Sequence, residues 1–135
     1  MSRILLIDDE LASRLVMQNR LKDLGHDVVV AENGAKGLLE AREAPFDLVL
    51  VEYNLASGVS GLEVCRRLKQ MPQAVAQPVL IVSRQTAGRD DVHKGYEAGC
   101  DAFVTKADLP LLDDVLGAML RFKALHDELA RLLRA

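Results

Sequence analysis

Short apolar runs alternate along the chain with segments of helical spacing. Most of these runs are apolar at nearly every position, without the period-two alternation of a sheet that has one face in water. Continuous apolar runs of this length are typical of parallel strands that are buried on both faces. The pattern predicts five strands, at residues 3–7, 27–31, 47–52, 78–83 and 101–105.

The segments between the runs predict helices, because apolar residues recur in them three and four positions apart. Their boundaries carry residues that favour helix ends: Gly25 follows the first segment and Asn33 opens the second. Pro45 separates the second helix from the third strand. Strands and helices that alternate with right-handed crossovers build a parallel sheet between two layers of helices. We therefore expect an α/β fold, a three-layer α/β/α sandwich.

Residues 109–134 predict one long helix, because only Pro110 could interrupt it and proline is tolerated in a first helical turn. The apolar face that can cover the sheet fades after residue 120. A second series, which we call the C-terminal seam, steps by four and three to the end of the chain, as in a coiled coil. The C-terminal seam consists of Leu111, Val115, Ala118, Phe122, Leu125, Leu129 and Leu132.

These patterns divide the chain into residues 1–120, a single domain, and residues 121–135, an extension of its last helix. We interpret the extension as a coiled-coil-like linker or a dimer contact, because its apolar residues lie beyond the sheet and would otherwise stay in water. An ordinary C-terminal helix with a frayed tail is the alternative.

The composition narrows the class of protein. At 135 residues, half of them hydrophobic, the chain can form one domain with a sizeable core. The net charge is −3 and the basic residues are scattered, which argues against nucleic-acid binding. No apolar stretch approaches the ~18 residues of a membrane span and the N-terminus does not resemble a secretory signal, so we expect a cytoplasmic protein without membrane contact. Two cysteines and three histidines without ligand spacing indicate neither a disulfide framework nor a transition-metal centre.

Polar side chains stand where four of the predicted strands end. Asp8 and Asp9 follow the first strand, and Glu52 closes the third. Ser83 closes the fourth strand, and Lys106 follows the fifth. The carboxyl ends of parallel strands meet at one edge of the sheet, where ligands bind. Carboxylates suit Mg²⁺, and with an ammonium and a hydroxyl they suit an anionic phosphoryl group. In the alternative reading, Asp9 merely caps a helix and Lys106 pairs with an acid.

Four stretches of sequence carry a more specific signal. They are Ile4-Leu5-Leu6-Ile7-Asp8-Asp9-Glu10, Phe46-Asp47-Leu48-Val49-Leu50-Val51-Glu52-Tyr53-Asn54-Leu55, Pro78-Val79-Leu80-Ile81-Val82-Ser83 and Gly99-Cys100-Asp101-Ala102-Phe103-Val104-Thr105-Lys106. In these residues and their spacing, the chain resembles the receiver domain of response regulators, the phosphoacceptor module of two-component signalling. The resemblance runs from Arg3 to about Leu120. It implies a flavodoxin-like, doubly wound sheet of five parallel strands in the order 2-1-3-4-5.

The resemblance also implies roles for individual residues. Ser83 would be the switch hydroxyl, Phe103 the switch aromatic and Lys106 the lysine that the family keeps. The fourth helix, fifth strand and fifth helix would form the output surface, and a histidine kinase would be the phosphate donor. The implied magnesium ligands are Asp8, Asp9 and the main-chain carbonyl of Asn54.

Two departures from the family pattern bear on function. The family's phosphorylated aspartate falls on Glu52, whose carboxylate reaches about 1.5 Å farther from the backbone because of one more methylene. It would crowd the phosphoryl pocket and approach Lys106 and Ser83. Arg84 stands where the family prefers a small residue, and its guanidinium can cover the pocket or pair with Glu52.

We interpret the chain as an atypical receiver, or pseudo-receiver, in which Glu52 fixes one conformational state and protein contacts carry the signal. We expect no enzymatic activity. Magnesium binding would be weak, or absent if Glu52 pairs with Lys106. The expected partners are a histidine kinase or another signalling protein, and a second copy of the chain bound through the C-terminal helix.

Two other readings of the site remain open. A conventional phosphoacceptor, modified at Glu52 or a nearby hydroxyl, is the main alternative, because the metal ligands, the hydroxyl and the lysine are all present. In a variant of that reading, the glutamate is an engineered phosphomimetic. A Mg²⁺-dependent phosphohydrolase on the same fold is the third reading. It lacks a substrate-binding glycine-rich loop, since Gly58 and Gly61 make only a G-x-x-G.

Overall fold

The computed structural model describes residues 1–72, 77–84 and 87–134. In that part of the chain, five strands form one parallel sheet in the order β2-β1-β3-β4-β5. The predicted fold class and strand order are therefore confirmed, and each strand begins within one residue of its predicted start. The strands are β1 (Arg3–Ile7), β2 (Asp27–Ala31), β3 (Leu48–Glu52), β4 (Val79–Ser83) and β5 (Ala102–Thr105).

Helices cover both faces of this sheet and complete the three layers. Two of them, α1 and α5, pack on one face, and α2, α3 and α4 lie on the other. The residues that directly precede three of the helices cap them: the Asn33 side chain accepts from the Lys36 amide, the Ser60 hydroxyl from the Glu63 amide, and the Asp108 carboxylate from the Leu111 amide. The helices are α1 (Leu11–Asp23), α2 (Gly34–Glu43), α3 (Gly61–Gln70), α4 (Arg89–Glu97) and α5 (Leu109–Arg134).

The central strands explain why the apolar runs do not alternate with polar residues. Along β1, Leu5 and Ile7 enter the core beneath α2 and α3, whereas Ile4 and Leu6 enter the core beneath α1 and α5. All five residues of β3 and all five of β4 are buried. Burying one such aliphatic side chain contributes roughly 1.5–3 kcal/mol, so both faces of the sheet add to stability.

Helix α5 is continuous over 26 residues, as predicted. That length corresponds to about 39 Å at the usual rise per residue. Leu112 and Leu116 anchor its first half against the sheet. None of residues 121–134 is buried, and four residues of the C-terminal seam are more than half exposed. These four are Phe122, Leu125, Leu129 and Leu132. No helix in the described ranges is long and apolar enough to cross a membrane.

Candidate functional site

The parallel sheet brings the polar strand ends together at its carboxyl edge. Asp8 follows β1, Glu52 is the last residue of β3, and Ser83 is the last residue of β4. All three side chains are almost completely buried. Lys106 follows the outer strand β5, and its long side chain reaches back towards β1 and β3. We call this group, together with Asp9, Asn54 and Arg84, the polar edge.

Lys106 joins two buried carboxylates. Its Nζ lies 2.8 Å from Asp8 Oδ2 and 2.8 Å from Glu52 Oε1. It also donates to the hydroxyl of Ser13, which in turn donates to Asp8 Oδ2 at 2.7 Å. Sequence reasoning missed Ser13, whose only signal was a hydroxyl in the first turn of α1, five residues after Asp8. The ammonium therefore compensates the carboxylates at the ends of β1 and β3 and also binds the first turn of α1.

Burial alone would raise the pKa of Asp8, but hydrogen bonds to the charged form outweigh it. They come from Lys106, Ser13 and Arg84, with a further one from the Glu10 amide. The pKa of Asp8 therefore lies below its ordinary value. This carboxylate remains ionised throughout the neutral pH range.

Both carboxylate oxygens of Glu52 are engaged. Oε1 accepts from Lys106, and Oε2 accepts from the amide of Asn54 at 2.8 Å. The side chain is 1 % exposed. The amino-terminal end of α3 packs closely on the main chain of Glu52, since a Cβ atom at Gly61 would overlap the Glu52 carbonyl oxygen. The backbone and the carboxylate of this residue are thus both held in place.

Arg84 extends across the acidic part of the polar edge. Its Nη2 lies 2.7 Å from Asp8 Oδ1 and 2.5 Å from Asp9 Oδ1. Nη1 donates to the main-chain carbonyl of Asn54 at 3.1 Å. Nε lies 3.4 Å from Glu52 Oε1. Burial would lower the pKa of the guanidinium, but the bonds to Asp8 and Asp9 and the nearby charges outweigh it and raise the pKa.

Asp9 connects two loops instead of capping α1. Its Oδ2 accepts from the Ala56 amide at 2.7 Å, across in the β3–α3 loop. Burial would raise its pKa, but the hydrogen bonds from Ala56 and Arg84 lower it below the ordinary value. The helix cap position belongs to Glu10, without a side-chain cap. The alternative reading of Asp9 as a cap residue is therefore wrong.

The predicted magnesium ligands lie close together, and the side chain of Arg84 lies between them. Asp8, Asp9 and the Asn54 carbonyl offer the oxygen atoms that Mg²⁺ prefers. In this structure the same three groups accept N–H bonds from Arg84. Among the described residues, no group of three or more His, Cys, Asp or Glu side chains is arranged to hold a metal ion. The donor chemistry fits magnesium, but the arrangement with Arg84 in place does not.

The two switch candidates each contact a residue that follows Glu52, Ser83 at Asn54 and Phe103 at Tyr53. Ser83 Oγ lies 3.3 Å from Asn54 Oδ1. The Phe103 ring packs edge-on against Tyr53, with centroids 5.4 Å apart, and the absent side chain of Gly95 leaves room for it. Tyr53 in turn donates to Asp91 on α4 at 2.7 Å. Sequence reasoning missed Tyr53, whose only signal was its place beside Glu52. The C-terminal seam is a separate surface.

Known proteins resemble the chain over most of its length. The family model for the response regulator receiver domain matches residues 4–116. The transcriptional regulatory protein AfsQ1 of Streptomyces coelicolor is 36% identical over 123 residues, which are 90% of this chain and 50% of AfsQ1. The response regulator PleD of Caulobacter vibrioides is 33% identical over 134 residues, 95% of this chain and 28% of PleD. The chain spans half or less of the length of the curated relatives it matches.

Solved structures agree with this likeness. The chemotaxis protein CheY4 of Vibrio cholerae has a TM-score of 0.80 at 23% identity, covering 88% of this chain and 98% of that one. The response regulator TrrA of Thermotoga maritima, solved in complex with Mg²⁺ and BeF, has a TM-score of 0.77 at 26% identity, covering 88% and 99%. Receiver domains are signalling modules of two-component systems and are generally not enzymes. By sequence and topology, the chain belongs to the response regulator receiver domain family.

Proposed function

We propose that this chain is an atypical receiver domain that signals through protein contacts and is not phosphorylated in the usual manner. The observation that carries the proposal is the state of Glu52, which stands at the position of the family's acceptor aspartate. Both of its oxygens accept hydrogen bonds, from Lys106 and from the Asn54 amide, in a nearly inaccessible position. A nucleophile needs a free lone pair that faces the incoming group. This carboxylate is held at both oxygens and is almost closed to solvent, so it is poorly placed to meet an incoming group.

Electrostatics supports the same proposal. Asp8, Asp9 and Glu52 carry three negative charges, and Arg84 and Lys106 carry two positive ones, so these five residues retain one negative charge between them. An acyl phosphate at residue 52 would replace one negative charge by nearly two. Phosphoryl transfer elsewhere depends on cations that neutralise such charge. The polar edge suits a glutamate better than a phosphorylated side chain.

This arrangement holds the domain in one conformational state. Lys106 donates a hydrogen bond to Glu52. The Phe103 ring packs against Tyr53, between α4 and the core. We assign Ser83 and Phe103 as the switch residues that a signal would have to move. The surface formed by α4, β5 and α5 would present one constant face to a histidine kinase or another signalling protein, in the cytoplasm and independently of magnesium.

We further propose that residues 1–120 are the receiver proper and that residues 121–135 act as a linker or dimer contact. Residues of the C-terminal seam from Phe122 onwards are exposed on a continuous helix. The longer relatives support a linker, because in them the matching region is only a part of the protein. In the absence of another partner, a second copy of the chain can cover the same residues and form a homodimer.

Intact mass after treatment with acetyl phosphate and Mg²⁺ tests the central proposal. The unaltered chain is compared with Glu52→Asp and with the double variant Glu52→Asp, Arg84→Ala. We expect no phosphoryl group on the unaltered chain and one on the double variant, because a shorter carboxylate and an opened pocket restore access. A phosphoryl gain by the unaltered chain at the stoichiometry of the double variant would show that the proposal is wrong.

A conventional phosphoacceptor is the second candidate. It is favoured by the survival of Ser83 and Lys106 with buried Asp8 in one cluster. The same experiment separates the two candidates, since only the conventional one predicts modification of the unaltered chain. Peptide mapping of any modified chain would then distinguish Glu52 from a nearby hydroxyl.

A further inference from the structure

The geometry points to Arg84 as a built-in cation that takes the place of a divalent metal ion at the polar edge. Its guanidinium binds one oxygen each from Asp8, Asp9 and the Asn54 main chain. These are the three groups that the family resemblance assigns to magnesium. The inference concerns the metal position alone and does not depend on whether Glu52 accepts phosphate.

The bonding pattern of the guanidinium matches this role. Arginine presents several N–H groups in one rigid plane and stays charged at all accessible pH values. Nη2 serves the two carboxylates, and Nη1 serves the carbonyl at 3.1 Å. An octahedral magnesium ion would need the same lone pairs at about 2.1 Å. An ion that close to all three oxygens would lie against the guanidinium nitrogens that now contact them and would repel their positive charge, so one excludes the other.

The position of Arg84 in the chain lets its guanidinium connect the loops that a metal ion would otherwise join. It directly follows Ser83, the last residue of β4, so its stem starts beside the acidic group. From there it bridges the loop after β1, through Asp8 and Asp9, and the loop after β3, through Asn54. A tethered cation loses no entropy of capture from solution, so the loops after β1, β3 and β4 are connected without a bound ion.

Direct metal binding tests the inference on the full chain without any phosphate donor. Mn²⁺, a magnesium substitute visible by electron paramagnetic resonance, is titrated into the unaltered chain, Arg84→Ala and Arg20→Ala. Arg20 is the control, because it is another arginine paired with an aspartate, Asp113, and neither residue belongs to the polar edge. We expect Arg84→Ala to bind one Mn²⁺ at least about tenfold more tightly than the unaltered chain, the affinity factor that corresponds to 1.4 kcal/mol. Arg20→Ala should behave as the unaltered chain.

Thermal unfolding adds a readout that a merely structural arginine would not give. Removing Arg84 should lower the Tm by about 5–10 °C, because the buried Asp8 and the partly buried Asp9 lose the cation that they share. Mg²⁺ should restore part of this loss, whereas NaCl at equal ionic strength should not. The Tm of the unaltered chain should be the same in both salts. If Arg84→Ala is unfolded in NaCl, its refolding on addition of Mg²⁺ is the expected result.

Two outcomes would overturn the inference. One is tight binding of Mn²⁺ by the unaltered chain, equal to that of Arg84→Ala. The other is a variant that neither gains Mn²⁺ binding nor responds to Mg²⁺ in its stability. Adding Asp9→Asn to Arg84→Ala should abolish the gained binding, and binding that survives would place the ion elsewhere. Phosphorylation of the unaltered chain would contradict the proposed function but leave these metal measurements unaffected.

Discussion

At the scale of single residues, Lys106 is the cation on which the buried part of the polar edge depends. It contacts Asp8 and Glu52, both 1 % exposed at their side chains, while its own side chain is 15 % exposed. An ion pair this far from water is costly to break, because removal of one partner leaves the other charge buried without compensation. Arg84 faces the same two carboxylates and would offset part of that loss.

Replacement of this lysine should therefore destabilise the protein strongly. We expect Lys106→Met to lower the free energy of unfolding by about 2–4 kcal/mol, below the full cost of a broken buried pair because Arg84 remains. Urea unfolding measures this change in the free energy of unfolding. The matched control is Lys36→Met, whose partner Glu32 and own side chain are both more than half exposed. That variant should change stability by less than about 1 kcal/mol. Equal effects from both variants would contradict this account.

At the scale of elements, the approach of α3 to the end of β3 sets the position of Glu52. The helix begins with Gly61, and a Cβ there would also come within 3.0 Å of Tyr53 Cα. A backbone neighbour cannot move aside as a flexible side chain can. The first turn of α3 therefore has to carry glycine for the polar edge to keep its shape.

Replacement by alanine at two different glycines should change the free energy of unfolding in opposite directions. Gly61→Ala should lower the free energy of unfolding by about 1–3 kcal/mol, because the added methyl overlaps main-chain atoms. Gly117 lies inside α5, where an added Cβ meets only the end of the Arg121 side chain at 3.4 Å. Gly117→Ala should raise stability by about 0.5–1 kcal/mol, since alanine is the better helix former. Thermal unfolding of both variants is the measurement, and a neutral Gly61→Ala would contradict the close packing.

At the scale of the whole molecule, α5 is the one helix of the described residues that extends well past the sheet. Its first half belongs to the core through Leu112 and Leu116, whereas the C-terminal seam continues past the sheet in water. Exposed apolar residues in a regular heptad series are typical of helices that meet a partner helix. The predicted partner for this chain is a second copy.

Light scattering across a range of concentrations tests this prediction. We expect a dimer that dissociates on dilution, and a monomer at all concentrations for the variant Leu125→Asp, Leu129→Asp, because charge in the seam cannot be buried without compensation. Leu133→Asp is the matched control: Leu133 is 78% exposed on the same helix but lies outside the C-terminal seam. It should remain dimeric. Dissociation by Leu133→Asp alone, or an unaltered chain that stays monomeric, would contradict the prediction.

The sequence by itself determined the layers of the fold and which polar groups share an edge. Continuous apolar runs need burial on both faces, which only a sheet between helices offers, and parallel strands must end at a common edge. For this reason the sequence alone groups Asp8, Glu52, Ser83 and Lys106 at one edge of the sheet. The long α5 followed equally from its unbroken helical spacing.

Only the tertiary structure decided how the polar edge is bonded. Arg84 has a long side chain with many rotamers, and its direction depends on how far apart three separate loops lie, which no local pattern encodes. The same holds for Ser13 and Tyr53, whose partners Lys106 and Asp91 are distant in sequence. Local periodicity specifies faces and ends, whereas contacts between long polar side chains depend on distances that exist only once the whole chain has packed.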